Sequence, residues 1–262
     1  MPAVDPERLA KQLEHLASLG SNSKEIRRSV LDLLEFYADR TKRPSGTIGA
    51  DEGIRSFRVP KPVLRRIRSA LLQSVAENPD AAQAVAEALW ISGYREPRLF
   101  AIALLGAQGP PHTIERVENW VVEADDPVVL TELAEVFVLS DDGKIDTAYQ
   151  ERIAIWLRKW DPMLQQFALL ILLKVVQTPN FDDLPYIFQH LNRMDEVETQ
   201  GSQGSFNLLM EELVKKSPSE TAQYIMDEVK RNKTQGMRMI RDLFDYFPPD
   251  EQARLKSILS GP

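Results

Sequence analysis

Three kinds of residue in this sequence are able to carry chemistry: histidines, paired carboxylates and clustered arginines. The histidines are His15, His112 and His190, each on a different segment. None has a second at i+4, the spacing that sets two imidazoles on one helical face to hold zinc. They read as surface or helix-end residues, and no metal site is expected. The chain contains no cysteine, which excludes a thiol nucleophile, thiolate-bound zinc or iron–sulfur clusters, and a disulfide scaffold. The carboxylate pairs Asp125–Asp126, Asp141–Asp142 and Asp182–Asp183 would suit acid–base catalysis. All three sit at expected helix starts, where negative charge offsets the exposed N–H groups, and that is the reading adopted. No Gly-rich loop follows a strand, so no phosphate-cradling cofactor site is expected either. Neither catalytic residues nor cofactors are assigned from the residues alone.

The basic residues are unevenly spread. Lys24, Arg27, Arg28, Arg40, Lys42, Arg43, Arg55, Arg58, Lys61, Arg65, Arg66 and Arg68 fall on one stretch that holds only six acids. That stretch carries a local excess of six positive charges, leaving −13 on the rest of a chain whose formal net charge is −7. An acidic chain overall is a poor candidate for binding nucleic acid, because phosphate contacts rest on Lys and Arg. The asymmetry reopens the question. The candidate nucleic-acid contacts are Arg55, Arg58, Lys61, Arg65, Arg66 and Arg68, joined by Arg95 from the run Tyr94-Arg95-Glu96-Pro97-Arg98. Two readings stay open: a phosphate-facing surface, or a solvated face paired with the acidic remainder. Arg95 in particular either extends the basic surface or locks adjacent helices through ion pairs. Trp90, Trp120 and Trp156 lie in apolar helical patterns and read as core, whereas Trp160, beside Asp161, is the tryptophan most able to face a ligand.

The elements that position these residues are helical. With 262 residues, 43% of them hydrophobic, the chain has enough apolar surface for a substantial core. Val129, Leu130, Leu133, Val136 and Phe137 follow a 3.6-residue period, as do Leu164, Phe167, Ala168, Ile171, Leu172 and Val175. No stretch alternates long enough for a half-buried strand. Asp5-Pro6, Asn78-Pro79, Asp126-Pro127, Asp161-Pro162 and Ser217-Pro218 each place a capping side chain before a proline at the first helical position. With further starts at Ser23, Lys61-Pro62, Thr113, Asp146 and Thr234, about 12–14 short helices in antiparallel pairs are expected. The starts at Asp126 and Asp161 lie 35 residues apart, one helix pair of HEAT type, though other spacings are irregular. The expectation is an all-α, HEAT-like curved α-solenoid forming a single domain over residues 1–262. Residues 41–60, with Pro44, Gly46, Gly49, Gly53 and Pro60, form a long loop, and Gly201 to Ser205 a kink or helix break. The longest apolar run, Phe167 to Val176, is interrupted by Lys174; a membrane span needs roughly 20 apolar residues, so it reads as a core helix. Without a signal segment at Met1 to Arg8, a cytoplasmic protein is expected.

Two stretches carry a family resemblance. Val59-Pro60-Lys61-Pro62-Val63-Leu64-Arg65-Arg66-Ile67 resembles the start of an early helix in alkylpurine DNA glycosylases of the AlkD type. Ala88-Leu89-Trp90-Ile91-Ser92-Gly93-Tyr94-Arg95-Glu96-Pro97-Arg98-Leu99-Phe100-Ala101 looks like that family's next helix pair. The resemblance extends from about Lys24 to Asn232 and implies HEAT-like helix pairs curved around DNA and excision of positively charged alkylated purines. It also implies a catalytic aromatic and aspartate, and here the sequence departs: Pro127 stands at the tryptophan position and Thr131 at the aspartate. Phe167, or Gln166 after a one-residue slip, replaces an arginine, and Leu208 and Glu211 replace a later tryptophan and arginine. A neutral threonine supplies no charge to stabilise an oxocarbenium-like centre. The expected function is therefore a non-catalytic binding protein that resembles DNA alkylation repair proteins and engages duplex DNA or a protein partner. The alternatives are a glycosylase with chemistry relocated to Asp125 or Asp126, and a scaffold for protein interaction alone. No membrane and no small-molecule cofactor is expected.

Overall fold

The computed structural model describes residues 5–20, 22–39, 54–108, 114–124, 126–138, 147–158, 161–194 and 200–259. These residues form fourteen α-helices and one short 3-10 turn. Among them there is no strand, only an isolated parallel bridge between Arg55 and Tyr94. The fold is all-α, as the periodicity requires. The chain divides into two compact units, Met1–Phe137 and Val138–Pro262.

The first unit holds α1 (Pro6–Ser18), α2 (Ser23–Phe36), α3 (Lys61–Val75), α4 (Pro79–Trp90), α5 (Arg95–Gly106), α6 (Ile114–Glu123) and α7 (Pro127–Val138). Helices pack on the next-but-one in the chain: α1 on α3, α3 on α5 and α2 on α4, with α4 and α5 also packed together. Such alternation makes two layers of stacked helix pairs, the packing of a helical repeat. The core is built from Ile67, Leu71, Leu89, Trp90, Ile102 and Leu104, each at most 1% exposed. Trp90 of α4 and Trp120 of α6 stack with ring centroids 4.2 Å apart, and Trp90 Nε1 donates to Glu123 Oε2 at 2.7 Å. Both indoles are consumed by the core, as expected.

The second unit holds α8 (Thr147–Trp156), α9 (Pro162–Gln177), α10 (Leu184–Leu191), α11 (Gln200–Lys216), α12 (Pro218–Arg231), α13 (Lys233–Leu243), the 3-10 turn Phe244–Tyr246 and α14 (Pro249–Leu259). The most extensive packing is α11 against α9, followed by α12 against α13. The apolar run in α9 is a core helix: Phe167 to Leu169, Ile171, Leu172, Val175 and Val176 are nearly or fully buried. No described helix is long and apolar enough to cross a membrane.

The punctuation works as the caps predict, with corrections. Helices begin at all five prolines of the Asp/Asn/Ser-Pro pairs. Asp5, Asn78, Asp126 and Asp161 each accept a backbone N–H of the first turn. Ser217 does not: its hydroxyl binds Glu220 and its carbonyl accepts from Thr221 Oγ1 at 2.7 Å. Helix α2 starts at Ser23 as expected, capped by Asn22, whereas α13 starts at Lys233, one residue before the expected Thr234, capped by Asn232. Gly201 to Ser205 do not break the chain; they lie inside the continuous helix α11. The glycine there serves a close approach, because a Cβ at Gly201 would lie 2.6 Å from Gln166 Oε1. Thr113, Asp146, His112, Trp160 and residues 41–53 of the expected loop fall outside the described residues.

Candidate nucleic-acid interface

The basic stretch becomes a built feature where residues 54–60 lead into α3. Four observations fix this lead-in against the start of α5. Arg95 N–H donates to the Arg55 carbonyl at 2.8 Å, and Phe57 stacks on Tyr94 at 4.5 Å. Val59 is 6% exposed and anchors the segment in the core. The fourth is Glu96, whose side chain is almost wholly buried (3% exposed). Its Oε1 accepts from Ser56 Oγ at 2.7 Å and from Arg58 N–H at 2.8 Å, while Oε2 accepts from Phe57 N–H at 3.0 Å. A buried carboxylate is tolerated only when its lone pairs are filled this way. Arg58 sits at φ +57°, a left-handed conformation that costs a non-glycine residue about 1–2 kcal/mol. The two N–H bonds from Phe57 and Arg58 to one carboxylate hold it there.

Around this anchor the cations point outward. Arg55, Arg58, Lys61, Arg65, Arg66 and Arg68 are all exposed. Lys61, Arg65 and Arg68 follow at i, i+4 and i+7 and so share one stripe of α3, while Val63, Ile67, Ala70 and Leu71 face the core. Arg65 and Arg66 also line a groove of about 430 Å³ between α1 and α3, walled by Ala10, Ala17 and Ser69, with Glu14 on its α1 side. Arg68 pairs with Glu132 of α7 at 3.3 Å. Arg55, Lys61, Arg65 and Arg66 have no ion-pair partner among the described residues. The structure therefore gathers six of the predicted residues on and before α3.

Arg95 is different. Its Nε lies 2.5 Å from Asp126 Oδ2, and the Asp126 side chain is fully buried. The other oxygen, Oδ1, accepts the Val128 N–H at 2.8 Å and so caps α7. Of the two readings of Arg95, locking α5 to α7 is the one its geometry fits. Both oxygens of Asp126 are thereby occupied structurally, and Asp125 lies outside the described residues.

The positions that the resemblance aligns with the glycosylases' catalytic residues have mundane surroundings. Pro127 opens α7. The Thr131 hydroxyl donates back to the Pro127 carbonyl at 2.8 Å. Phe167 is fully buried, 5.5 Å from Trp156 between ring centroids. Leu208 is half exposed, and the charge of Glu211 is the main influence raising the Tyr246 phenol above its ordinary value. Among the described residues no group of three or more acidic or imidazole side chains could hold a metal ion.

His190 ends a helix, as expected: it lies in the last turn of α10, where it is buried at 8% exposure. Burial, followed by the nearby Arg193 and Arg158 charges, lowers its pKa below the ordinary value. Its ring meets Tyr186 edge-on at 4.3 Å, and neither Nδ1 nor the Tyr186 hydroxyl has a hydrogen-bond partner among the described residues. Sequence patterning also missed Glu96. The run Tyr94 to Arg98 drew attention to the position, but its bonding partners lie 38–40 residues away in the chain, a separation no local pattern reports.

These features define an all-helical repeat protein whose cations cluster on one early helix and the segment leading into it. A family profile described as DNA alkylation repair enzyme matches residues 30–239, and the chain belongs to that family. No curated protein matches it significantly.

Proposed function

We propose that this member of the DNA alkylation repair family binds duplex DNA through the cations of residues 55–68 and does not excise bases. The observation that carries the reading is the set of four exposed cations, Arg55, Lys61, Arg65 and Arg66, without ion-pair partners among the described residues. A solvated face that merely balanced an acidic chain would be neutralised by neighbouring carboxylates, as Arg68 is by Glu132. Unpaired guanidinium and ammonium groups are instead available to replace the counterions of a phosphate backbone. The lack of catalysis is supported by chemistry. Thr131 is neutral, Pro127 has no π-face, and Asp126 has both oxygens engaged. A base-excising mechanism through these groups would lack both the stacking surface and the charge that stabilises a cationic sugar. A cytoplasmic location agrees with the absence of cysteine.

The test pairs binding with base release. Binding to plain and alkylated duplexes of the same sequence is expected to be equal within a factor of about two, since phosphate contacts carry no base information. Arg65→Glu with Arg66→Glu is expected to abolish it. No 3- or 7-methylpurine is expected to appear from treated DNA. Release of alkylated base by the folded protein, lost on Asp126→Asn or on substitution of Asp125, would establish the relocated glycosylase instead.

A further inference from the structure

We propose that Glu96 is a positioning residue for DNA binding: it clamps the backbone of residues 56–58 so that Arg55 and Arg58 present their charges beside Lys61 and Arg65. The inference rests on the DNA-binding reading and adds the device that organises the site. An acid is an unexpected component of a cationic surface. Buried at 3% exposure, Glu96 is shielded from an incoming phosphate while its carboxylate accepts three hydrogen bonds from Ser56, Phe57 and Arg58. Ser56 Oγ also accepts the Arg58 N–H at 3.2 Å, so the hydroxyl bridges the carboxylate and the left-handed residue. Arg58 at φ +57° turns the chain between the bridge at Arg55 and the start of α3. Released from the carboxylate, that residue relaxes to negative φ, and the segment before it swings with its charge. Glu96 is held in turn by its helix: its neighbour Arg95 bonds Asp126 at 2.5 Å, fixing the first turn of α5 against α7. Binding then gains from a preorganised array whose ordering cost is met on folding rather than on association.

Glu96→Gln separates this role from simple electrostatics, because the two predict opposite signs. Removing a negative charge from a basic surface strengthens phosphate binding if charge alone matters. Loss of the clamp weakens it, since the new NH2 group faces a backbone N–H donor. The expected result is a roughly tenfold loss of duplex affinity at moderate salt and a salt slope shallower by about 2, the contribution of two phosphate contacts. In the Glu96→Gln background, Arg55→Gln with Arg58→Gln is expected to add nothing further, whereas in the wild-type chain it costs the same roughly tenfold. Ser56→Ala, which keeps the carboxylate, is expected to give a weaker loss of the same kind and serves if Glu96→Gln does not fold. Amide hydrogen exchange at Phe57 and Arg58, whose N–H groups the carboxylate accepts, reads the clamp without DNA: slow in the wild type, fast in Glu96→Gln and intermediate in Ser56→Ala. Unchanged or tighter DNA binding by Glu96→Gln or Ser56→Ala, or additive losses in the cycle, overturns the inference. A wild-type chain with slow exchange at Phe57 and Arg58 and no DNA binding overturns the DNA reading instead.

Discussion

Gly236 sits where α13 approaches α12 so closely that a Cβ would lie 2.5 Å from the backbone nitrogen of Val229. Backbone cannot yield as a side chain can, so Gly236→Ala is expected to cost at least about 2 kcal/mol of stability in denaturant titrations. Gly201→Ala meets only the mobile amide of Gln166, and a change of rotamer holds its cost below about 1 kcal/mol. Asp126→Asn removes the charge paired with Arg95 while leaving one oxygen for the Val128 cap. A loss of about 1–3 kcal/mol is expected, with no change in any base-release signal. His190 gives a pH dependence with a definite sign. Its pKa is depressed in the folded chain by burial and by Arg193 and Arg158, so the unfolded chain binds the proton first as pH falls through the ordinary value near 6.5. Stability is therefore expected to be full above that pH and to decline below it. Melting temperatures of wild type and His190→Leu, followed from neutral pH to pH 5, test this: the variant should lose the part of the slope that begins near pH 6.5.

At the scale of elements, the sequence was read most reliably where a cap and a proline coincide. An Asp or Asn oxygen and a missing proline N–H both act within one turn, so Asp5-Pro6, Asn78-Pro79, Asp126-Pro127 and Asp161-Pro162 mark real starts. Asp161→Ala removes acceptors for Met163 and Leu164 N–H at 2.9 and 3.2 Å and is expected to cost about 1 kcal/mol, measured by thermal unfolding. The failures have non-local causes. Gly201 and Gly204 resemble a break because glycine is a poor helix former, yet α9 packs against α11 there and Gly201 admits the close contact. His190 ends a short helix as its pattern indicates, but its burial comes from packing that its own helix does not report. The stripe Lys61, Arg65 and Arg68 was legible as a cluster of charge. What was not legible is which cations lack an ion-pair partner among the described residues, since Glu132 and Asp126 take Arg68 and Arg95 from other helices.

For the whole chain, a net charge of −7 conceals the asymmetry that matters. The family membership accounts for the helical architecture, and the residues that the resemblance sets at the glycosylases' catalytic positions are the reason binding rather than chemistry is proposed. On the proposed reading, acidic charge elsewhere repels the duplex except where the cations of residues 55–68 meet the backbone, and salt screens both terms. The most direct test is the affinity for an undamaged duplex measured across a series of salt concentrations. With Arg55, Arg58, Lys61, Arg65 and Arg66 each displacing a counterion, the plot of log affinity against log salt is predicted to be linear with a slope of about −4 to −5. A slope near zero, or no binding even at low salt, would contradict the account.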